Sequence, residues 1–242
     1  MARAIRHIFA GTPHHVTQRG NLRQRVFFSD ADYLIYLSWL REYAGRHEVE
    51  VLAYCLMPNH VHLILVPAAA ASMQLLLQQL HARYARHVNR ARDSVGHLWQ
   101  GRYFSSALDE PWRSIATRYV ELNPVCAGMV ARAEDFPWSS ARAHCGLGSD
   151  PVLSRQERWQ RHLAEQSGWS AWLHAGLASH EVERIRTSAT RSAPCGSESF
   201  VESLEASAGK SLQVRPRGRP RKKGEKRCLT PFSERKKREK GV

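Results

Sequence analysis

The stretch Tyr54-Cys55-Leu56-Met57-Pro58-Asn59-His60-Val61-His62-Leu63-Ile64 decides the fold. Residues 48–55 read as one strand and residues 60–66 as a second, both built from β-prone side chains. Only Met57-Pro58-Asn59 separates them, a link too short for a crossover, so the two strands must be antiparallel neighbours. Side chains alternate along a strand, which puts His60 and His62 on one face and Val61 on the other. The apolar run Leu63-Ile64-Leu65-Val66 marks the second strand as central and buried. Two imidazoles leaving a buried strand are costly unless something satisfies them. That something is a shared metal ion or a set of hydrogen-bonding neighbours; the residues alone leave both open.

Working outward, His14-His15-Val16-Thr17-Gln18-Arg19-Gly20 reads as an earlier strand ending in a turn. Asp30 can cap a helix over 31–46 that carries Tyr33, Tyr36, Leu37 and Leu40 on one face. Ser72 opens a long amphipathic helix to about residue 91. A strand is expected within 97–108, around Trp99 and Phe104, and then a helix over 111–122 with Pro111 in its first turn. The order strand, helix, strand, strand, helix, strand, helix predicts an α+β domain: a ferredoxin-like antiparallel sheet covered by helices. That domain spans residues 1–147. Residues 148–190 read as a helical appendage, with Trp159, Leu163, Trp169 and Trp172 available to pack. Residues 191–242, dominated by Ser, Gly, Pro and charge, read as a disordered basic tail.

Tyr119-Val120-Glu121-Leu122-Asn123-Pro124 is the second informative stretch. Tyr119 and Asn123 are one helical turn apart and share a face. Pro124 limits continuation of the helix and places Asn123 near its end. The Asn123 carboxamide oxygen suits a hard cation such as magnesium, and Tyr119 beside it could attack a phosphate held on that cation. The plain alternative is a core aromatic, and Glu121 reads as solvated or salt-bridged. A free phenol ionises near pH 10, so roughly 0.1% is phenolate at neutrality. Attack therefore needs a polarised phosphate and help in removing the proton. The product, a phosphotyrosine diester, resembles the bond it replaces in energy, so rejoining needs no ATP.

Thirty-six Lys and Arg against 22 Asp and Glu give a net charge of +14, which calls for a polyanionic partner. Residues 210–242 alone hold fourteen Lys or Arg and three Glu, +11 of that total. Within them Arg215-Pro216-Arg217-Gly218-Arg219-Pro220 resembles an AT-hook, so Arg217 and Arg219 are candidates for minor-groove or phosphate contact. Arg83 and Arg86 on the 72–91 helix, Arg19 in the early loop and Arg102 are further DNA-binding candidates, while His14 and His15 are weak ones. No membrane role is expected: the longest apolar run, 63–73, is interrupted by Pro67, and residues 1–15 contain no apolar signal segment. A cytoplasmic, nucleoid-associated protein is expected. Five cysteines without a C-x-x-C pair suggest ordinary thiols.

Taken together, these motifs resemble the His-hydrophobe-His single-tyrosine transposases. Leu98-Trp99-Gln100-Gly101-Arg102-Tyr103, then Tyr119 to Val125, Ala127-Gly128 and Pro137-Trp138-Ser139-Ser140, resemble the REP-associated tyrosine transposase branch over about residues 5–146. The resemblance implies Tyr119 as nucleophile, His60 and His62 as metal ligands, and Asn123 at a third ligand position. It also implies Mg²⁺ or Mn²⁺ as cofactor and hairpin-forming single-stranded DNA as substrate; the sequence leaves monomer and homodimer both open. The branch commonly carries Arg after Asn-Pro-Val, where this chain has Cys126. The expected activity is cleavage and rejoining of that DNA in transposition. The alternative is a protein that keeps the fold and only binds hairpins.

Overall fold

The computed structural model describes residues 7–154 and 168–212. The strand pair inferred from the histidine stretch is present as β2 (Val49–Met57) and β3 (His60–Pro67), antiparallel, with Met57 opposite His60. β1 (His14–Arg19) pairs antiparallel with β3 on its other side, and β4 (Phe104–Ala107) pairs antiparallel with β1. The order β2-β3-β1-β4 is the ferredoxin-like arrangement, with the histidine strand in the interior.

Alternation along the strands gives the sheet two dissimilar faces. Val16, Val61, Leu63 and Leu65 point to one side, where α1 (Asp30–Arg46) and α2 (Ala70–Ala91) bury Tyr36, Leu40, Leu76, Leu80 and Tyr84 against them. Cys55, Met57 and Ile64 point to the other, beneath α3 (Glu110–Cys126) and the C-terminal helices. His60 and His62 alternate with Val61 and so belong to the α3 face.

Several boundaries differ from expectation for identifiable reasons. The cap of α1 is Ser29, not Asp30; the Asp32 carboxylate closes the first turn by accepting the Phe28 and Ser29 amides, each at 2.9 Å. The strand expected around Trp99 begins only at Phe104, and Trp99 instead makes a single bridge to Gly20. Helix α3 does not stop at Asn123 but runs through Pro124 to Cys126. Proline cannot donate to the Val120 carbonyl four residues back. The Asn123 side-chain amide donates there instead, at 3.3 Å, and to the Tyr119 carbonyl at 2.8 Å.

After α4 (Ala141–His144), the appendage contributes α5 (Trp169–His174) and α6 (Ser179–Arg191). Trp159 and Leu163 lie outside the described residues. Of the stretch from 191 onward, expected to be disordered, the described residues 191–212 are packed against the domain and include a helix. Cys195 bridges Leu108 beside β4, and Ser197 caps α7 (Glu198–Ala208) by accepting the Phe200 amide. The unpaired edge of β4 supplies what composition could not reveal: backbone partners for a polar segment. Cys55, Cys126, Cys145 and Cys195 are free thiols, and among the described residues no helix is long and apolar enough to cross a membrane.

Candidate active site

β3 presents His60 and His62 with ring centroids 4.9 Å apart. The Nδ1 of each ring is already engaged. His60 Nδ1 lies 2.6 Å from Asn59 Oδ1, and an amide oxygen only accepts, so the His60 proton sits on Nδ1 and Nε2 keeps its lone pair. His62 Nδ1 lies 2.9 Å from His15 Nε2. Register explains that contact: Thr17 is directly opposite His62, which makes His15 its diagonal neighbour on β1, with the rings stacked at 5.2 Å. When His62 donates from Nδ1, its Nε2 is bare as well.

Burial keeps these imidazoles neutral. His60 is lowered to about 4 by desolvation, helped by the nearby positive charge of Arg19. Desolvation lowers His15 to about 4 and His62 well below its usual value, the latter assisted by His60, His15, Arg19 and Arg186. Neutral imidazole is the form that binds a metal.

α3 lays Tyr119 against His62 and His15. Its ring meets His62 edge-on at 5.8 Å and His15 edge-on at 5.9 Å, although 57 residues separate Tyr119 from His62 in the chain. Asn123 lies one turn further along the same helix; its nitrogen is occupied by the backbone bonds above, so its oxygen is the atom left to offer a ligand. Among the described residues no three His, Cys, Asp or Glu side chains are grouped to hold an ion. The side chains that could hold an ion are therefore the two imidazoles and, one turn past Tyr119 on α3, the Asn123 oxygen, donor types compatible with Mg²⁺ or Mn²⁺ when water completes the shell.

Glu121 takes no part in this set. It is fully buried, its Oε1 accepting from Ser140 Oγ and facing His144 Nδ1, both at 2.5 Å, and its Oε2 accepting from Trp169 Nε1 at 2.8 Å. Of its two expected roles, the solvated one does not occur: the carboxylate is buried and hydrogen-bonded, within salt-bridge distance of His144.

The arginines predicted to meet DNA are dispersed. Arg19 ends β1 opposite His60 and is exposed beside the histidine pair. Arg83 and Arg86 lie on α2, across the sheet. Arg83 is held by Glu42 Oε2 at 3.0 Å and by the Trp39 ring at 4.3 Å, while Arg86 is exposed. Arg102 is exposed on the rim of a cavity of about 860 Å³ on the α2 side, lined also by Gln18, Gln74, His81 and Trp99. Neither Tyr119 nor the histidine pair lines that cavity. Arg217 and Arg219 lie outside the described residues. Two residues at the site are undervalued or missed by sequence reasoning. His15 is only a weak candidate there, and Arg186 of α6, whose Nε donates to Tyr119 Oη at 3.5 Å, carries no local signal.

Comparison with known proteins finds similarity in sequence and in fold. The model of the family described as "Transposase IS200 like" matches residues 10–123, which include both histidines, the tyrosine and the asparagine. The solved structure of a REP-associated tyrosine transposase bound to a REP hairpin superposes with a TM-score of 0.52 at 19% identity, covering 64% of this chain and 92% of that one. A protein from Deinococcus radiodurans described as a transposase is a looser match, with a TM-score of 0.34 at 23% identity, covering 50% of this chain and 96% of its own. Comparison with curated proteins gives no match. The similarity to the IS200-like transposase family thus covers residues 10–123 of the 242-residue chain.

Proposed function

We propose that this protein cleaves and rejoins hairpin-forming single-stranded DNA through a covalent phosphotyrosine, as a member of the REP-associated branch. The observation that carries the reading is the packing of Tyr119 edge-on against His62, 5.8 Å between ring centroids. A nucleophile and a metal-ligand pair from distant parts of the chain meet on one face of the sheet. His60 and His62 would hold Mg²⁺ or Mn²⁺ through Nε2, with the Asn123 oxygen as a third protein donor. When bound, the ion supplies Lewis-acid polarisation of the scissile phosphate.

The chain's own residues do the rest. Asn59 and His15 hold the two imidazoles from behind through Nδ1, fixing ring orientation. α3 holds the phenol and the amide oxygen on one helical face, so that nucleophile and ligand keep their relative positions. Arg19, opposite His60 on β1, would contact a DNA phosphate.

The test is a covalent adduct. Purified protein is incubated with hairpin-bearing single-stranded DNA and Mn²⁺ and then denatured. The wild type should give a protein–DNA band, and a chelator should remove it. Tyr119→Phe should bind the DNA and give no band; His60→Ala and His62→Ala should each lose it too. A band from Tyr119→Phe would overturn the assignment. Tyr103 is a poor substitute nucleophile, being 8% exposed in the α1/α2 core on the other side of the sheet.

A further inference from the structure

We propose that Arg186 of α6 is a catalytic residue whose guanidinium stabilises the negative charge developing on Tyr119 Oη; the assignment rests on Tyr119 being the nucleophile. The two residues are 67 positions apart, and Arg186 lies beyond the family-matched residues 10–123. The appendage would then be part of the reacting centre rather than decoration on it.

The contact is held by structure on both sides. Ile185, Ser188 and Ala189 bury one face of α6 against the sheet, leaving Arg186 on the exposed rim beside α3. Immediately after α6 the chain is fastened to β4 and to the cap of α3. Ser106 Oγ donates to the Ala193 carbonyl at 2.6 Å, and the Cys195 amide donates to the Ala107 carbonyl at 2.8 Å. The Ser197 amide donates to Asp109 Oδ2 at 2.7 Å, just ahead of α3. α6 is thus registered against the strand and helix that carry the site.

The chemistry gives the charge a use. In cleavage, Tyr119 Oη forms a bond to phosphorus and the phosphorus–oxygen bond to the leaving strand breaks. The phenolic proton ends on the leaving oxygen as a hydroxyl. Rejoining runs the same exchange backwards, with phenolate as leaving group. In both directions negative charge passes through Oη. At 3.5 Å the Nε–H contact is long for a neutral phenol and is expected to shorten as the oxygen becomes anionic. A donor aimed at developing charge commonly contributes 10²–10³-fold; the exposed position of Arg186 reduces the expectation to about 10- to 100-fold.

The experiment measures single-turnover adduct formation with Mn²⁺ and saturating hairpin DNA, alongside the Kd of the same DNA. Arg186→Gln should slow adduct formation about 10- to 100-fold with Kd changed less than about threefold, and Arg186→Lys should recover most of the rate. The discriminating arm is Tyr119→difluorotyrosine, whose phenol ionises more readily. It should shrink the Arg186→Gln deficit, which a purely structural tether would leave unchanged. An unaltered adduct rate in Arg186→Gln, a faster one, or a loss confined to Kd would each overturn the proposal. If the wild type formed no Tyr119-dependent adduct, the reading of Tyr119 itself would fail; a wild-type adduct indifferent to Arg186 would sink this assignment alone.

Discussion

His15 backs His62 from the neighbouring strand. Its strand is readable, and alternation sets it on the face opposite to Val16. Its value comes from the 2.9 Å contact with His62, which exists only because β1 pairs with β3 in a register that sets Thr17 opposite His62. Neither the pairing nor the register is written in residues 14–19. Removing such an outer-shell partner typically costs 10–100-fold in metal affinity. His15→Ala should therefore weaken Mn²⁺ binding by about tenfold, measured directly by electron paramagnetic resonance on the metal titration, while leaving the circular dichroism spectrum intact. Wild-type Mn²⁺ affinity in that variant would remove His15 from the metal's support. His60, His62, Tyr119 and Asn123 are legible for the opposite reason: each pair is close in sequence, so strand and helix periods alone fix its shared face.

At the scale of the element, α3 is where sequence reasoning goes furthest and then stops short. The start of the helix and the Tyr119–Asn123 spacing are readable. Continuation through Pro124 is not, because proline's effect depends on whether the deprived carbonyl finds another donor. Asn123 provides it, donating to the Val120 carbonyl at 3.3 Å and the Tyr119 carbonyl at 2.8 Å. The side chain proposed as a ligand through its oxygen thus also supports its helix through its nitrogen. Asn123→Ala should lose both functions separately. Without any metal, the variant should melt about 2–4 °C lower, corresponding to roughly 1 kcal/mol for a hydrogen bond in a protein of this size. With metal, it should need more Mn²⁺ for cleavage but retain activity, since water can replace one ligand. Identical metal-free melting curves for wild type and variant would refute the helix-supporting role. Asn123→Asp offers an oxygen with no amide donor and should improve the metal titration relative to Ala without restoring the metal-free melting temperature.

For the whole molecule, two global properties depend on where the charges sit. Burial lowers His14, His15 and His60 to about 4 and His81 to about 3, against an ordinary value of 6.5. The unfolded chain therefore takes up protons that the folded one refuses, and stability rises with pH across the window from about 4 to 6.5, flattening above it. Each such shift is worth roughly 3 kcal/mol, so urea midpoints for the metal-free protein should fall steeply below pH 6.5; a midpoint flat down to pH 4.5 would contradict the burial of these rings. Net charge, by contrast, is legible at once from composition, and the fold now says where to cut. α7 is anchored as far as Leu212, whose amide donates to Glu205 Oε1 at 2.7 Å, so a truncation at 210 would disturb packed structure. Removing residues 213–242 takes away thirteen Lys or Arg and three Glu, a charge of +10, and no proposed ligand or nucleophile. Each phosphate neutralised contributes a salt slope of about −0.9 on duplex and about −0.7 on single strands. If the segment makes four phosphate contacts, deletion should flatten the log-log salt dependence of hairpin binding by roughly 3 units while adduct formation at saturating DNA persists. If Arg217 and Arg219 also enter a narrow minor groove, AT-rich duplex beside the hairpin should bind better than GC-rich duplex only in the full chain. An unchanged slope would show that this charge does not touch DNA. Loss of the adduct at saturation would show that the segment belongs to the active structure.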